Sequence, residues 1–77
     1  MQITGQILNI VPNGTFNSAH GLVYKFNMTI KNGPNDGDEL TGGINSKSQN
    51  YPMQVGEEIT VESTTNNYGI NFKKINQ

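Results

Sequence analysis

The stretch of residues 22–31, LVYKFNMTIK, decides the fold class. Every even position from Leu22 to Ile30 is apolar, and every odd position from Lys25 to Lys31 is polar. This period of two is typical of a β-strand with one face in a core and one face in water. We therefore predict a strand that packs on one side and presents a polar surface on the other.

The composition limits the size and class of the protein. Its 77 residues suit one small domain, which we expect to span residues 1–77. A domain of this size buries only about 60% of its unfolded surface, so a homodimer is an open expectation. The chain has no cysteine, which excludes disulfides and thiolate chemistry. We find neither a signal-peptide pattern nor a run of ~20 apolar residues, and we expect a cytosolic protein with no membrane partner.

The charge balance is close to neutral. Five lysines and six acidic residues give a formal net charge of −1, and the chain contains no arginine. Strong non-specific DNA binding depends on neutralised phosphates, so this balance argues against it. Binding that relies on stacking between aromatic side chains and bases stays compatible with the composition.

Apolar residues at a spacing of two, interrupted by Gly and Asn, predict four further strands. The five predicted strands are residues 2–11, 20–31, 38–45, 57–64 and 68–75. Residues 12–19 are predicted to form a long loop, and residues 32–37 a hairpin turn. Pro52 bars a long helix through residues 46–55. We predict an irregular or short helical segment there, with Tyr51 and Met53 or Val55 plugging the core.

Two local features refine the predicted strands. The apolar parity of the first strand switches between Ile7 and Leu8, which predicts a β-bulge. Gly42 and Gly43 lie inside the third strand and predict a bulge, a bend or the close approach of another backbone. A bulged first strand and a core plug before the fourth strand favour a five-stranded, partly open barrel over an SH3-like barrel.

Five short segments form a series along the chain: Gly5-x-Ile7-x-x-Ile10, Tyr24-x-Phe26-x-Met28-x-Ile30, Gly43-x-Asn45-Ser46-Lys47-Ser48, Val55-Gly56-Glu57-Glu58-Ile59-x-Val61 and Tyr68-Gly69-x-Asn71-Phe72-Lys73-Lys74-Ile75. Over nearly the whole chain, this series resembles the small OB-fold single-stranded-DNA-binding proteins of the phage type. The resemblance implies an all-β, five-stranded OB-fold-like small barrel with a short irregular or helical segment between strands 3 and 4. It also implies binding of single-stranded DNA with little sequence preference, in phage or plasmid replication or recombination.

In such a barrel the ligand lies on the outer face of strands two and three, flanked by the loops that join strands one and two and strands four and five. Lysines follow the phosphates, and aromatic side chains stack on the bases. The candidate site residues are Phe16, Lys25, Asn27, Lys31, Lys47, Tyr68 and Lys73. The alternative for the lysines is that they are solvated strand residues, and Phe16 could instead fold over the barrel end.

The same residues bear on other classes of function, some of which they exclude. Catalysis is not expected, because His20 has neither a cysteine nor a general-base partner. His20 and the acids of residues 36–39 match no metal-ligand spacing, so we expect no metal and no cofactor. The alternative function is a small phage protein-interaction module or an inhibitor of a host or defence protein, which near-neutral charge favours and exposed strand edges would serve. A structural β-module of a virion is the third possibility.

Overall fold

The alternating stretch forms most of the second of five β-strands in a computed structural model, which describes residues 1–75. The strands are β1 (Gln2–Ser18), β2 (Gly21–Lys31), β3 (Glu39–Ser46), β4 (Glu58–Asn66) and β5 (Gly69–Lys74). They form one closed barrel in the order β1-β2-β3-β5-β4, with β4 pairing back to β1. The β3–β5 pair is parallel and the other pairs are antiparallel. The predicted fold class, an all-β five-stranded small barrel, is confirmed.

Buried apolar side chains from all five strands form the core. They are Ile3, Ile7, Phe26, Met28, Ile30, Ile44, Ile59, Val61 and Phe72. Burial of one such side chain contributes roughly 1.5–3 kcal/mol, so the barrel interior is the main source of stability. The even positions of β2 point inward from Phe26 onward, as the alternation predicts. Leu22 is exposed, because β2 begins outside the barrel.

A β-bulge near the start of β1 confirms the prediction made from the parity switch. Ile7 pairs with Ile30 and Asn9 with Thr29, which leaves Leu8 as an extra residue in β1. The apolar residues on both sides of the bulge therefore face the core, although their positions in the sequence differ in parity.

β1 continues through residues 12–18, where the sequence analysis predicted a long loop; that prediction is wrong. A second bulge lies between Pro12 and Thr15, where residues 13–14 stand opposite Lys25. Gly14 has a φ of 92°, a backbone conformation that glycine adopts without strain. The bulge accommodates the residues that looked like a turn, so the strand passes this point instead of ending there.

The paired chain beyond the second bulge forms an arm. Pairing with β2 extends to Ser18, which stands opposite Gly21 across a turn at residues 19–20. The Ser18 hydroxyl accepts a hydrogen bond from the His20 backbone N–H and donates one to the Gly21 carbonyl oxygen. Residues 11–22 are all exposed. We call residues 12–18 and 21–24 the β1–β2 arm.

The two connections on either side of β3 match their predictions. In the β2–β3 turn the Asn32 N–H donates to the Asp38 carbonyl oxygen at 2.9 Å, as in a hairpin. Between β3 and β4 the chain is irregular, the first of the two predicted forms. Tyr51 and Met53 pack against the core, and the Tyr51 ring meets Phe26 edge-on, with centroids 5.7 Å apart and an interplanar angle of 74°. Burial raises the pKa of Tyr51.

Glycine lets β5 approach β3 closely. A Cβ atom on Gly42 would lie 3.0 Å from Phe72 Cζ and 3.1 Å from the carbonyl oxygen of Ile70. The prediction of a close backbone approach at this glycine is confirmed. Among residues 1–75, no helix is long and apolar enough to cross a membrane.

Candidate functional site

Asn27, on the outer face of β2, lies in register with one residue on each of the other four strands. Asn27 stands opposite Val11 of β1 and Gly43 of β3. Gly43 pairs with Asn71 of β5, and Asn71 pairs with Thr64 of β4. Residues that stand opposite each other share one side of a sheet. These five residues therefore form one row across the outside of the barrel.

The middle of this row is shallow and lined by amides. Gly43 has no side chain, and Oδ1 of Asn71 lies 3.6 Å from the position that a Cβ atom on Gly43 would occupy. The exposed Asn27 side chain lies on the other side of Gly43. Side-chain amides both donate and accept hydrogen bonds, so the centre of the face offers polar contacts without charge.

The second bulge of β1 decides which side chains of the β1–β2 arm point to this face. In an uninterrupted strand Phe16 would share the inward parity of Ile10. Because one extra residue precedes Thr15, Phe16 instead pairs with Val23, which shares the outward parity of Lys25. Phe16 is 41% exposed and lies on the same face as the lysine.

Phe16 forms one wall of a groove between the β1–β2 arm and the end of β3. This arm groove has a volume of about 290 Å³ and is lined by Phe16, Ser18, Val23, Asn45, Ser46 and Lys47. Phe16 and Val23 supply apolar surface, and Lys47 supplies a positive charge. An aromatic ring beside a lysine is the combination that single-stranded nucleic acid requires for stacking and phosphate contact.

A second groove follows the join between β3 and β5. These strands share a single register pair, Gly43 with Asn71, so few backbone hydrogen bonds close the join. This seam groove has a volume of about 970 Å³ and is lined by Ile44, Asn45, Lys47, Phe72, Lys73 and Lys74. Asn45 and Lys47 line both grooves, so the arm groove and the seam groove adjoin each other.

The charged residues are unevenly distributed over the barrel. The basic end, nearer the arm, carries Lys25, Lys47, Lys73 and Lys74. The acidic end, formed by the β2–β3 turn and the start of β3, carries Lys31 together with Asp36, Asp38 and Glu39. Glu57 and Glu58 lie at the start of β4, closer to the end of β5, since Lys74 pairs with Val61. Lys25 and Lys31 are six residues apart on β2, about 20 Å at a rise of about 3.3 Å per residue. Glu62 lies opposite Lys73, and its carboxylate contacts the Met1 amino group.

The structure brings most of the predicted site residues to one face. Those that lie at the basic end or in the central row are Phe16, Lys25, Asn27, Lys47 and Lys73. Lys31 lies at the acidic end, where its Nζ donates a hydrogen bond to the Asn35 carbonyl oxygen at 2.7 Å. Tyr68 is 98% exposed and lies in the β4–β5 turn, outside β5. Because β5 runs parallel to β3, this turn lies beside the start of β3, away from the basic end.

Of the groove residues that are not among the predicted candidates, three adjoin predicted ones. Lys74 lines the seam groove, and the adjacent pair Lys73-Lys74 was its signal in the sequence. Asn45 pairs in register with Lys25, and the length of the β2–β3 turn was the signal for that pairing. Val23 shares the outward parity of Lys25, and the second bulge sets Phe16 opposite it in the arm groove.

Comparisons with known proteins leave the function to be argued from this surface. Among residues 1–75, no group of three or more His, Asp or Glu side chains is arranged to hold a metal ion. No protein-family model, curated protein or solved structure matches the chain.

Proposed function

We propose that this chain binds single-stranded DNA with little sequence preference. The proposed binding surface is the basic track, which consists of the arm groove, the seam groove, Lys25 and Asn27. The observation that carries the proposal is that four of the five lysines lie at the basic end, where the exposed Phe16 ring shares a groove with Lys47, while three of the six acids lie at the other end of β2. A net charge of −1 is then no obstacle, because a strand on the track meets mainly the positive end.

The basic track combines two kinds of contact. Phe16, packed beside Val23, presents a ring on which one base can stack. Lys47, Lys73 and Lys74 line one groove and are placed to neutralise neighbouring phosphates. Backbone contacts and stacking are largely independent of base identity, which is why we propose little sequence preference.

The biological setting is part of the same proposal. The resemblance of the sequence to phage-type single-stranded-DNA-binding proteins suggests replication or recombination of a phage or plasmid genome. A protein that covers single strands by backbone contact and stacking needs no catalytic group, and we propose a binding protein rather than an enzyme.

The test is fluorescence anisotropy of a labelled oligonucleotide of about 20 nucleotides, enough for at least one OB-fold site. We expect binding that weakens with salt. Replacing Lys25, Lys47 and Lys73 together by Gln should weaken binding and flatten the plot of log affinity against log salt by about 2, because each phosphate contact on a single strand contributes about 0.7.

Lys31→Gln is the matched control. It removes the same charge from the same strand as Lys25→Gln, but at the acidic end, where Lys31 contacts the turn. We expect Lys31→Gln to leave both affinity and salt dependence near their original values. Absence of binding at low salt, or equal losses in the control and the track variants, would remove the basic track from consideration.

A protein partner is the second candidate function, and the β1–β2 arm favours it. Within the described residues, β1 pairs with β4 only over residues 2–6, so residues 12–18 have one edge without a partner strand. A partner strand could add to this edge by backbone hydrogen bonds. A tight protein complex that is insensitive to salt, together with no DNA binding, would favour this function.

A further inference from the structure

A third cavity lies beside the second bulge of β1. This bulge pocket has a volume of about 330 Å³ and is lined by Pro12, Gly14, Thr15, Tyr24, Lys25, Phe26, Gln49 and Asn50. Three of its lining residues come from β1 around the second bulge, three from β2, and two from the irregular segment after β3. The volume lies in the range of cavities that bind small organic groups.

Local structure explains why the cavity exists. The extra residue in β1 separates the backbone from β2 opposite Lys25, and Gly14 adds no side chain there. After β3, the chain folds Tyr51 onto Phe26, which fills the barrel mouth but leaves the neighbouring residues at the rim. The cavity is therefore a direct result of the bulge and the core plug.

The lining of the bulge pocket fits a planar group with polar edges. Tyr24 is half-buried and Phe26 is buried, so aromatic carbon forms the inner part of the cavity. Gln49 and Asn50 are exposed at the rim, and each amide can donate and accept hydrogen bonds. An aromatic surface with amides at its edge is how proteins bind unstacked bases, by stacking and by hydrogen bonds to the base edge.

Lys25 connects this cavity to the basic track. It lines the bulge pocket and stands in register with Asn45, which lines both the arm groove and the seam groove. A strand whose phosphate lies near Lys25 is thus placed to turn one base toward the pocket. We propose that the bulge pocket receives one unstacked nucleobase of the strand bound on the basic track, an inference that rests on the proposed function.

The test compares two oligonucleotides and two proteins. The oligonucleotides are a thymidine strand of about 8 nucleotides and the same backbone made entirely of abasic nucleotides, both labelled for anisotropy. The proteins are the unmodified chain and the double variant Gln49→Ala with Asn50→Ala, which changes two exposed side chains and no residue of the buried core. We expect the double variant to bind the thymidine strand about fivefold to tenfold more weakly, which corresponds to the loss of one base contact, and to bind the abasic strand unchanged.

Gln54→Ala is the matched control, because Gln54 is an exposed amide of the same segment that does not line the pocket. It should bind both strands as the unmodified chain does. Equal affinity of the double variant and the unmodified chain for the thymidine strand would overturn the pocket and leave the proposed function intact. An equal loss on both strands would mean that the amides contact the backbone, which also overturns it. If the unmodified chain binds neither strand, the proposed function itself fails.

Discussion

Single residues decide how closely the strands of this small barrel can cross. At Gly5, a Cβ atom would lie 2.0 Å from the carbonyl oxygen of Lys31 and 2.6 Å from Cγ2 of Ile30. The backbone oxygen cannot move away without breaking the β1–β2 ladder. At Gly43, by contrast, a Cβ atom would meet Asn71 Oδ1 at 3.6 Å, an ordinary contact. Two strand glycines thus have opposite structural requirements.

We predict that Gly5→Ala lowers the free energy of unfolding by about 2–3 kcal/mol, because overpacking against fixed backbone forces β1 away from β2. Gly43→Ala should change the free energy by less than about 1 kcal/mol, in the stabilising direction, because alanine loses less conformational entropy than glycine in a strand. Urea unfolding of both variants measures the difference. Equal effects at the two positions would contradict the close approach at Gly5.

At the scale of the elements, the two bulges of β1 control the facing of the whole strand. The first, at Leu8, keeps apolar residues on the core side although their parity changes. The second, at residues 13–14, turns Phe16 outward, to the face that carries Lys25. Because side chains alternate with a period of two, one inserted residue reverses every side chain that follows it. Each bulge therefore changes which side chains of β1 point toward the core.

Replacement of Phe16 by Ala tests what the second bulge provides. The variant removes the outward ring without changing the register of β1. We predict about tenfold weaker binding to single-stranded DNA, the effect of losing one stacked base. Stability should stay close to that of the unmodified chain, because residues 11–22 are exposed and contribute little to the core.

Leu22→Ala is the control for this variant, because Leu22 is an exposed apolar residue of the same arm with the opposite parity on β2 from Val23, the partner of Phe16. It should bind single-stranded DNA as the unmodified chain does. Full affinity of the Phe16→Ala variant would show that the outward facing of Phe16 is irrelevant to binding.

At the scale of the whole molecule, the placement of charge matters more than its sum. The β2–β3 turn lies about 20 Å from Lys25 along β2 at about 3.3 Å per residue, whereas the Debye length at physiological salt is about 8 Å. A ligand phosphate near Lys25 is therefore largely screened from the acids of this turn. The formal net charge of −1 says little about the field that the ligand experiences.

We predict that the double variant Asp36→Asn, Glu39→Gln changes the affinity for single-stranded DNA less than about twofold at physiological salt, because of this screening. Removing two negative charges takes the formal net charge from −1 to +1. Anisotropy titrations of this variant and of the triple lysine variant measure the contrast. A large gain in affinity for the acid variant would indicate that net charge, rather than placement, governs binding.

Local patterns in the sequence predict much of the framework and part of the candidate site. The alternation of residues 22–31 indicates a β-strand, and the parity switch at Leu8 indicates a bulge, since each pattern depends only on neighbouring residues. The same alternation places Lys25 and Asn27 on the outer face. The arm was not predictable in this way, because Pro12 and Gly14 are equally compatible with a turn and with a bulge.

By itself, the sequence determined five strands, the inward and outward faces of β2, the first bulge, the β2–β3 turn and the core plug around Tyr51. These features depend on side-chain periodicity and on local backbone preferences. Only the tertiary structure decided that β5 lies beside β3, that Phe16 shares a groove with Lys47, and that Lys73 and Lys74 join Lys47 in one groove. The physical reason is that register and strand order depend on contacts between residues far apart in the chain, which no local pattern encodes.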